Sequence, residues 1–355
     1  MVFPQFHPDS RALVKQYLTP AVYEQLAPLE TRTGFTLAAA IQSGLKNPDS
    51  HIGIYAGDAL SYSLFSSLLD PIIHVYHSVE KTFEHSPDFD QTGLNQTGLD
   101  QTGLDQTRLD PLDPNKAFIL SSRVRVARNL SGFCFPCHIS SRERTRVEAL
   151  IFDAAKKLPG KLGGSYLSFK DLSPSQMQAR LTRKQAFPKG DRFQDTAGIN
   201  RDFPDSRGIF SSRDKKFMIW VNEEDHLRII SMESSADISG VFNRLCRGLG
   251  HLSTRLEFAF DKKYGFLTSC PTNIGTAMRA GVHIRLKKLE KNQKILKKLV
   301  AQYQLQIRGT SGEKTSVNKS IFDISNKQRL GIPETRIIQN LHSGLAAIIE
   351  AEKSL

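Results

Sequence analysis

The stretch SSRVRVARNL, residues 121–130, alternates arginine with small apolar residues and contains no acid. Alternation of this kind is the mark of a β-strand, whose successive side chains point to opposite faces. Arg123 and Arg125 then share one face of a strand, and Val124 and Val126 the other. The arginine face meets either water or an anion, and alternation alone does not choose between them.

The same texture returns along the chain. KKFMIWVN and HLRIISM are apolar runs joined by the acidic turn EED, which reads as a hairpin. AGVHIRL and YQLQIRG read as strands on either side of a lysine-rich segment, 285–300, in which Leu289, Ile295, Leu296 and Leu299 form one apolar face of a solvated amphipathic helix. SRERTRVEALIFDAAKKL, SADISGVFNRLCRGLGHLSTRLEF and the final ETRIIQNLHSGLAAIIEAEKSL have helical spacing. Residues 1–85 read mainly as helix. There Thr33 is a candidate N-cap, and Pro71 marks a kink or junction in the stretch 58–83. Helices first, then strands interleaved with helices, predict an α+β chain: a small helical domain over 1–85, a linker over 86–112 and a larger domain over 113–355.

The linker contains a pentapeptide repeat, QTGLN QTGLD QTGLD QTRLD, at 91–110. A period of five fits neither helix nor strand, and one coil of a solenoid cannot bury its own core. The repeat reads as a linker or surface loop.

The apolar share of 39% and charged share of 24% are those of an ordinary soluble chain, and no apolar run is long enough to span a bilayer. Four cysteines are too few for a disulfide scaffold, and no secretory signal precedes Pro20, so a reduced, cytoplasmic setting is expected. The net charge of +12 points to nucleic acid or to a phosphorylated small molecule. Its placement matters more than its size. Arg123, Arg125, Arg228, Arg279 and Arg308 each lie in or beside a strand-like segment and near a turn. Scattered surface ion pairs are one reading; convergence on a triphosphate, which guanidinium donors match in geometry, is the other.

Among the acids, Glu223, Glu224 and Asp225 form the hairpin tip, and Glu313 lies in the glycine- and serine-containing loop GTSGEKTS. Cys270, in TSCPTNIGT, is either an inert buried thiol or a thiolate stabilised by nearby cations. CFPC at 134–137 has redox-like spacing but no second CxxC and no βαβ context. Walker A and GxGxxG patterns are missing from the sequence.

SSRVRVARNLSGF, WVNEEDHLRIISM, CPTNIGTAMRAGVHIRL, RGTSGE and FDISNKQRLG, in this order, resemble the signature segments of the phosphagen (guanidino) kinases. The resemblance covers nearly the whole chain. It implies a small all-helical N-terminal domain that binds a guanidino substrate, and a larger domain with an antiparallel β-sheet flanked by helices, the glutamine synthetase-like architecture. It implies reversible transfer of the γ-phosphoryl group of ATP to a guanidino nitrogen, with Mg²⁺ held through the nucleotide, no metal site in the protein and no covalent intermediate. The family's ATP-phosphate arginines fall on Arg123, Arg125, Arg228, Arg279 and Arg308, and its adenine-side histidine on His283. Glu223 and Glu313 match the two carboxylates that grip the guanidinium, and Cys270 the thiolate beside it. The implied partners are the guanidino compound and ATP or ADP, without nucleic acid or membrane, on a monomer or homodimer.

Within the family, NPDSHIGIYAGD resembles the arginine-kinase form of the specificity loop and has its length. Ser50, His51, Ile52, Gly53 and Tyr55 would then hold the carboxylate of arginine. Asp49 and Arg192, the latter in KGDRF, match a pair that bridges the domains on closure. Taurocyamine or a related guanidine is the alternative substrate. His51 stands where arginine kinases usually carry glycine, and Gln185 replaces a histidine on the nucleotide side.

Overall fold

The computed structural model describes residues 2–79, 84–88, 109–183, 185–308 and 320–355. Glu313 and most of the pentapeptide repeat lie outside them. The N-terminal part holds α1 (Leu13–Tyr17), α2 (Pro20–Leu26), α3 (Leu37–Ala40), α4 (Gln42–Lys46), α5 (Leu60–Leu64) and α6 (Ser66–His77). Thr19 caps α2 by accepting from the Val22 amide at 3.3 Å, and Pro20 takes the first helical position, where no amide donor is needed. The cap of α3 is Thr36, not Thr33: the Thr33 hydroxyl donates to the Asp58 carboxylate, a stronger acceptor. Helix α6 runs through Pro71, and the break falls at Phe65 instead. Proline removes one amide donor there, while Leu68, Leu69, Ile72 and Ile73 are all buried, which outweighs that loss.

The rest of the chain carries α7 (Ser141–Ala155), α8 (Pro174–Thr182), α9 (Arg192–Thr196), α10 (Ile238–Ser253), α11 (Gln293–Gln302) and α12 (Glu334–Ser354). Its strands are β1 (Ile119–Arg128), β2 (Gly164–Ser168), β3 (Gly208–Ser212), β4 (Phe217–Val221), β5 (Leu227–Glu233), β6 (Phe260–Asp261), β7 (Gly265–Phe266), β8 (Met278–Arg285), β9 (Leu305–Arg308) and β10 (Ile321–Asn326). Eight of them form one antiparallel sheet in the order β2-β3-β4-β5-β1-β8-β10-β9, and β6 and β7 make a separate ribbon. This is the α+β architecture the sequence predicts.

One face of the sheet is apolar. Val124, Val126, Ile229, Ala280, Val282 and Ile284 are buried in a core shared with Val241, Leu245 and Leu249 of α10 and Ile338, Leu341 and Leu345 of α12. The buried positions of α10, spaced by threes and fours, put that stripe on one side of the helix. Burying each larger side chain contributes about 1.5–3 kcal/mol, so the alternation in β1 is held in register by its valines.

A second core joins the N-terminal helices to the loop around Cys270. It includes Leu37, Ile54, Leu68 and Ile72 together with Leu267, Cys270 and Ile274. The lysine-rich segment is helical only over α11. The Leu289 amide donates to Glu352 at 2.8 Å, which holds the preceding residues in turns, and Ile295 faces outward, so the apolar stripe is narrower than spacing suggested.

Candidate active site

Strand register sets what surrounds the arginine face of β1. Arg125 stands opposite Arg279, and Ala127 opposite Arg228. His283 stands opposite Ser121 and Asp323, and Asp323 opposite Arg308. Cross-strand partners share a face. All five arginines and His283 therefore lie on the side of the sheet away from α10 and α12.

The cations on this face differ in their company. Arg228 donates to Glu223 at 2.7 Å and to Glu224 at 3.3 Å. Arg279 donates to Asp323 at 2.8 Å and to the Ser325 hydroxyl at 3.2 Å, and His283 Nε2 lies 3.9 Å from Asp323. Arg123 and Arg125 form no ion pair among the described residues, and Arg123 Nε is buried without a hydrogen-bond partner there. Burial first, then Arg228 and Arg279, push the Arg123 guanidinium down to about 10. Burial, then Arg228, Arg123 and Arg279, hold Arg125 well below its ordinary value. The fold thus presses like charges together, an arrangement that a polyanion relieves. Asp323 and Ser325 orient Arg279, and their sequence signal is only the alternation within FDISN.

The three acids of the hairpin tip differ in their contacts, although Glu223 and Glu224 both accept from Arg228. Asn222 turns the chain in the left-handed region, at φ 56°. Glu223 goes to Arg228. Asp225 accepts from the Ser269 amide at 2.7 Å and from Asn129 Nδ2 at 2.8 Å, which ties the tip to the Cys270 loop. Glu224 accepts from Asn273 Nδ2 at 3.4 Å, and burial first, then Asp225, raise its carboxyl to about 7. Burial followed by Glu224 pushes the Cys270 thiol up to about 12, against the Thr272 hydroxyl 3.1 Å away. Burial and the neighbouring Glu224 both favour the neutral thiol at Cys270, before any substrate cation is added. Burial first, then Cys270 and Glu224, raise the Tyr55 hydroxyl well above its ordinary value, so the 50–55 loop reaches the same place. Adjacent glutamates look alike in a sequence, and only the turn separates Glu224 from Glu223.

The loop is fixed by close packing. Gly53 has φ +72°, and a Cβ there would lie 2.8 Å from Gly44 Cα and 2.7 Å from Val14 Cγ1. The Ala56 amide donates to the Ser269 carbonyl at 2.8 Å. Ser50, Ile52 and Tyr55 are buried, whereas His51 is exposed and sets its ring edge-on against Tyr76, with 5.2 Å between centroids. Asp49 and Arg192 form an ion pair, and Arg192 also donates to Asn47 at 3.3 Å. Gln185 is half-buried, and its amide closes onto Arg180 at 2.8 Å after α8. Cys134 and Cys137 are free thiols, and Cys137 donates to the Ala56 carbonyl at 3.0 Å. Among the described residues no helix is long and apolar enough to cross a membrane.

Two family models match the chain: ATP:guanido phosphotransferase, N-terminal domain, over residues 8–74, and ATP:guanido phosphotransferase, C-terminal catalytic domain, over residues 146–355. The chain is similar to the arginine kinase of Penaeus monodon, with 39% identity over 348 residues, 98% of this chain and 94% of that protein. Its identity to the arginine kinase of Limulus polyphemus is 40% over 347 residues, with the same shares covered. It is 39% identical to the arginine kinase of Anthopleura japonica over 99% of this chain, and spans 47% of that longer protein. Among solved structures, a lombricine kinase matches with a TM-score of 0.89 at 32% identity, over 99% of this chain and 94% of that one. The duplicated taurocyamine kinase from Schistosoma mansoni, with transition state analog components bound, matches with a TM-score of 0.86 at 31% identity, over 98% of this chain and 47% of that one.

Proposed function

The chain belongs to the ATP:guanido phosphotransferase family, and from that premise we propose that it transfers the γ-phosphoryl group of ATP reversibly to arginine, giving phosphoarginine and ADP. The observation that carries the reading is the arginine face: five guanidiniums brought to one side of the sheet, two of them in no ion pair among the described residues.

In this reading Arg123, Arg125, Arg228, Arg279 and Arg308 hold the phosphates, and Asp323 and Ser325 position Arg279. His283 stands at the adenine side. Phosphoryl transfer needs alignment and charge cancellation more than covalent help, and fixed guanidiniums supply both. A protonated guanidinium is a poor nucleophile. The carboxylate beside Cys270 is Glu224, and we assign it, rather than Glu223, to gripping the guanidinium and accepting its proton. The nitrogen lone pair then forms the N–P bond as the bond from Pγ to the ADP oxygen breaks. Glu223 holds Arg228 on the phosphate side. Glu313, which follows β9 in the sequence, is the second gripping carboxylate, and Ser50–Tyr55 receive the carboxylate of arginine. Asp49 and Arg192 tie a substrate domain, 1–85, to a catalytic domain, 113–355, when the two close.

Glu223, Glu224 and Asp323 are each engaged by an arginine, so these carboxylates are not left free for a magnesium ion, which would be held through the nucleotide and would supply charge neutralisation there.

A pH dependence follows. The raised Glu224 carboxyl stabilises the fold in its protonated form. That contribution is complete below the ordinary value of 4.5 and is lost as pH rises through about 7. Activity runs the other way, because the ionised form holds the substrate cation. We expect kcat/KM for the guanidine to climb with pH through a limb near 7. A limb that persists unchanged in Glu224→Gln would assign it to another group.

His51, at a position where the arginine-kinase loop usually has glycine, favours taurocyamine as the second reading, because an imidazole beside the loop suits a sulfonate as well as a carboxylate. An ATP-coupled assay against arginine, taurocyamine, creatine, glycocyamine and lombricine separates them. Arginine should give the highest kcat/KM; a higher value for taurocyamine would replace the arginine assignment.

A further inference from the structure

Half of the chain's formal charge of +12 sits between Arg285 and Val300, where seven basic residues face one acid, a net +6. The segment leaves β8 beyond His283, forms α11 and returns as β9. Helix α11 buries Leu296 and Val300, which turns its other side outward. Lys287, Lys291, Lys294, Lys297 and Lys298 are exposed, and none is in an ion pair among the described residues. The one acid, Glu290, accepts from the Ser320 hydroxyl at 2.6 Å. Lys288 Nζ donates to the Lys353 carbonyl at 3.2 Å, which carries the cationic face on to the end of α12. Ile295, 40% exposed, sits among the lysines.

Four lysines elsewhere in the chain pair with acids: Lys156 with Asp153, Lys189 with Asp195, Lys216 with Glu233 and Lys263 with Asp70. Among the described residues the exposed lysines of α11 have no such ion pair, and their charges repel one another. We propose that this face docks the protein on an anionic lipid surface. Lysine supplies mobile point charges that follow a diffuse negative surface, whereas arginine's planar fork suits one particular phosphate. The residues 285–302 contain no aromatic side chain on which a single-stranded nucleic acid would stack. An exposed isoleucine between lysines is what the boundary of a bilayer accepts. The docking does not depend on which guanidine the active site takes.

The test is co-sedimentation of the full chain with vesicles of equal parts phosphatidylcholine and phosphatidylserine. Binding is expected there, but not with phosphatidylcholine alone, and it should vanish in about 1 M salt, where charges are screened beyond about 3 Å. Each lysine near such a surface contributes about fivefold in affinity, so the variant Lys291→Gln, Lys294→Gln, Lys297→Gln, Lys298→Gln should bind roughly 500-fold more weakly. That variant should keep its ATP-coupled turnover, which shows that it is folded. A control carrying Lys157→Gln, Lys161→Gln, Arg213→Gln and Lys215→Gln, exposed residues towards the β2 edge of the sheet, should lose less than about tenfold. Equal losses in the two variants would reduce the effect to net charge and overturn the proposal. So would failure to bind the anionic vesicles, or capture of single-stranded RNA through the same lysines in place of lipid.

Discussion

Glu224→Gln is expected to lower kcat by about 10²–10⁴-fold, the usual contribution of a positioned proton acceptor, with little change in the KM for ATP. The amide keeps the shape and the contact with Asn273 but neither pairs with a guanidinium nor takes its proton. Glu223→Gln gives the contrast. Glu223 sits 2.7 Å from Arg228 Nη1, so its loss should loosen the phosphate side and raise the KM for ATP. If Glu223→Gln instead reproduced the full loss of turnover and Glu224→Gln kept normal turnover, the division of labour at the hairpin tip would be reversed. The two glutamates are adjacent in sequence, so the comparison tests the turn itself.

Arg125→Lys should be the most damaging single change on the sheet face. We expect kcat/KM to fall by about 10³-fold or more, within the range of a phosphate-stabilising arginine. The charge count survives in this variant; the planar fork does not. Arg125 is central on β1, opposite Arg279, in no ion pair among the described residues. Its guanidinium is therefore free of the internal carboxylates that engage Arg228 and Arg279. Relief of crowding sharpens the prediction. Since Arg228, Arg123 and Arg279 press on Arg125, removing that side chain altogether, as Arg125→Ala, should leave thermal stability equal or higher while activity drops. A destabilised Arg125→Ala with unchanged affinity for ATP would show that the arginine holds the fold and not the nucleotide.

Much of this was legible in the chain itself. The hairpin around 222–226 follows from two apolar runs and an acidic turn, and α10 and α12 from apolar residues at helical spacing, because these signals are local. Thr33 and Pro71 misled for a related reason. A cap or a break depends on what else competes for the hydroxyl or repays the lost amide, and here Asp58 and the buried face of α6 decided. Spacing in the lysine-rich segment predicts a longer helix because it does not reveal that Glu352 captures the Leu289 amide.

For the candidate site, the sequence by itself determined which side chains share a strand face: Arg123 with Arg125, opposed to Val124 and Val126. That much is fixed by the two-residue period of an extended chain. It determined neither the neighbours across the sheet nor the direction of Glu224. Arg279, Arg228 and Arg308 join the same face only because antiparallel register sets Arg125 against Arg279 and Asp323 against Arg308. Register is a matter of long-range pairing, settled by burial of the opposite, apolar face against α10 and α12. Glu224 and Cys270 meet because the Ser269 amide binds Asp225, a contact between residues far apart in the chain that only the packed structure creates.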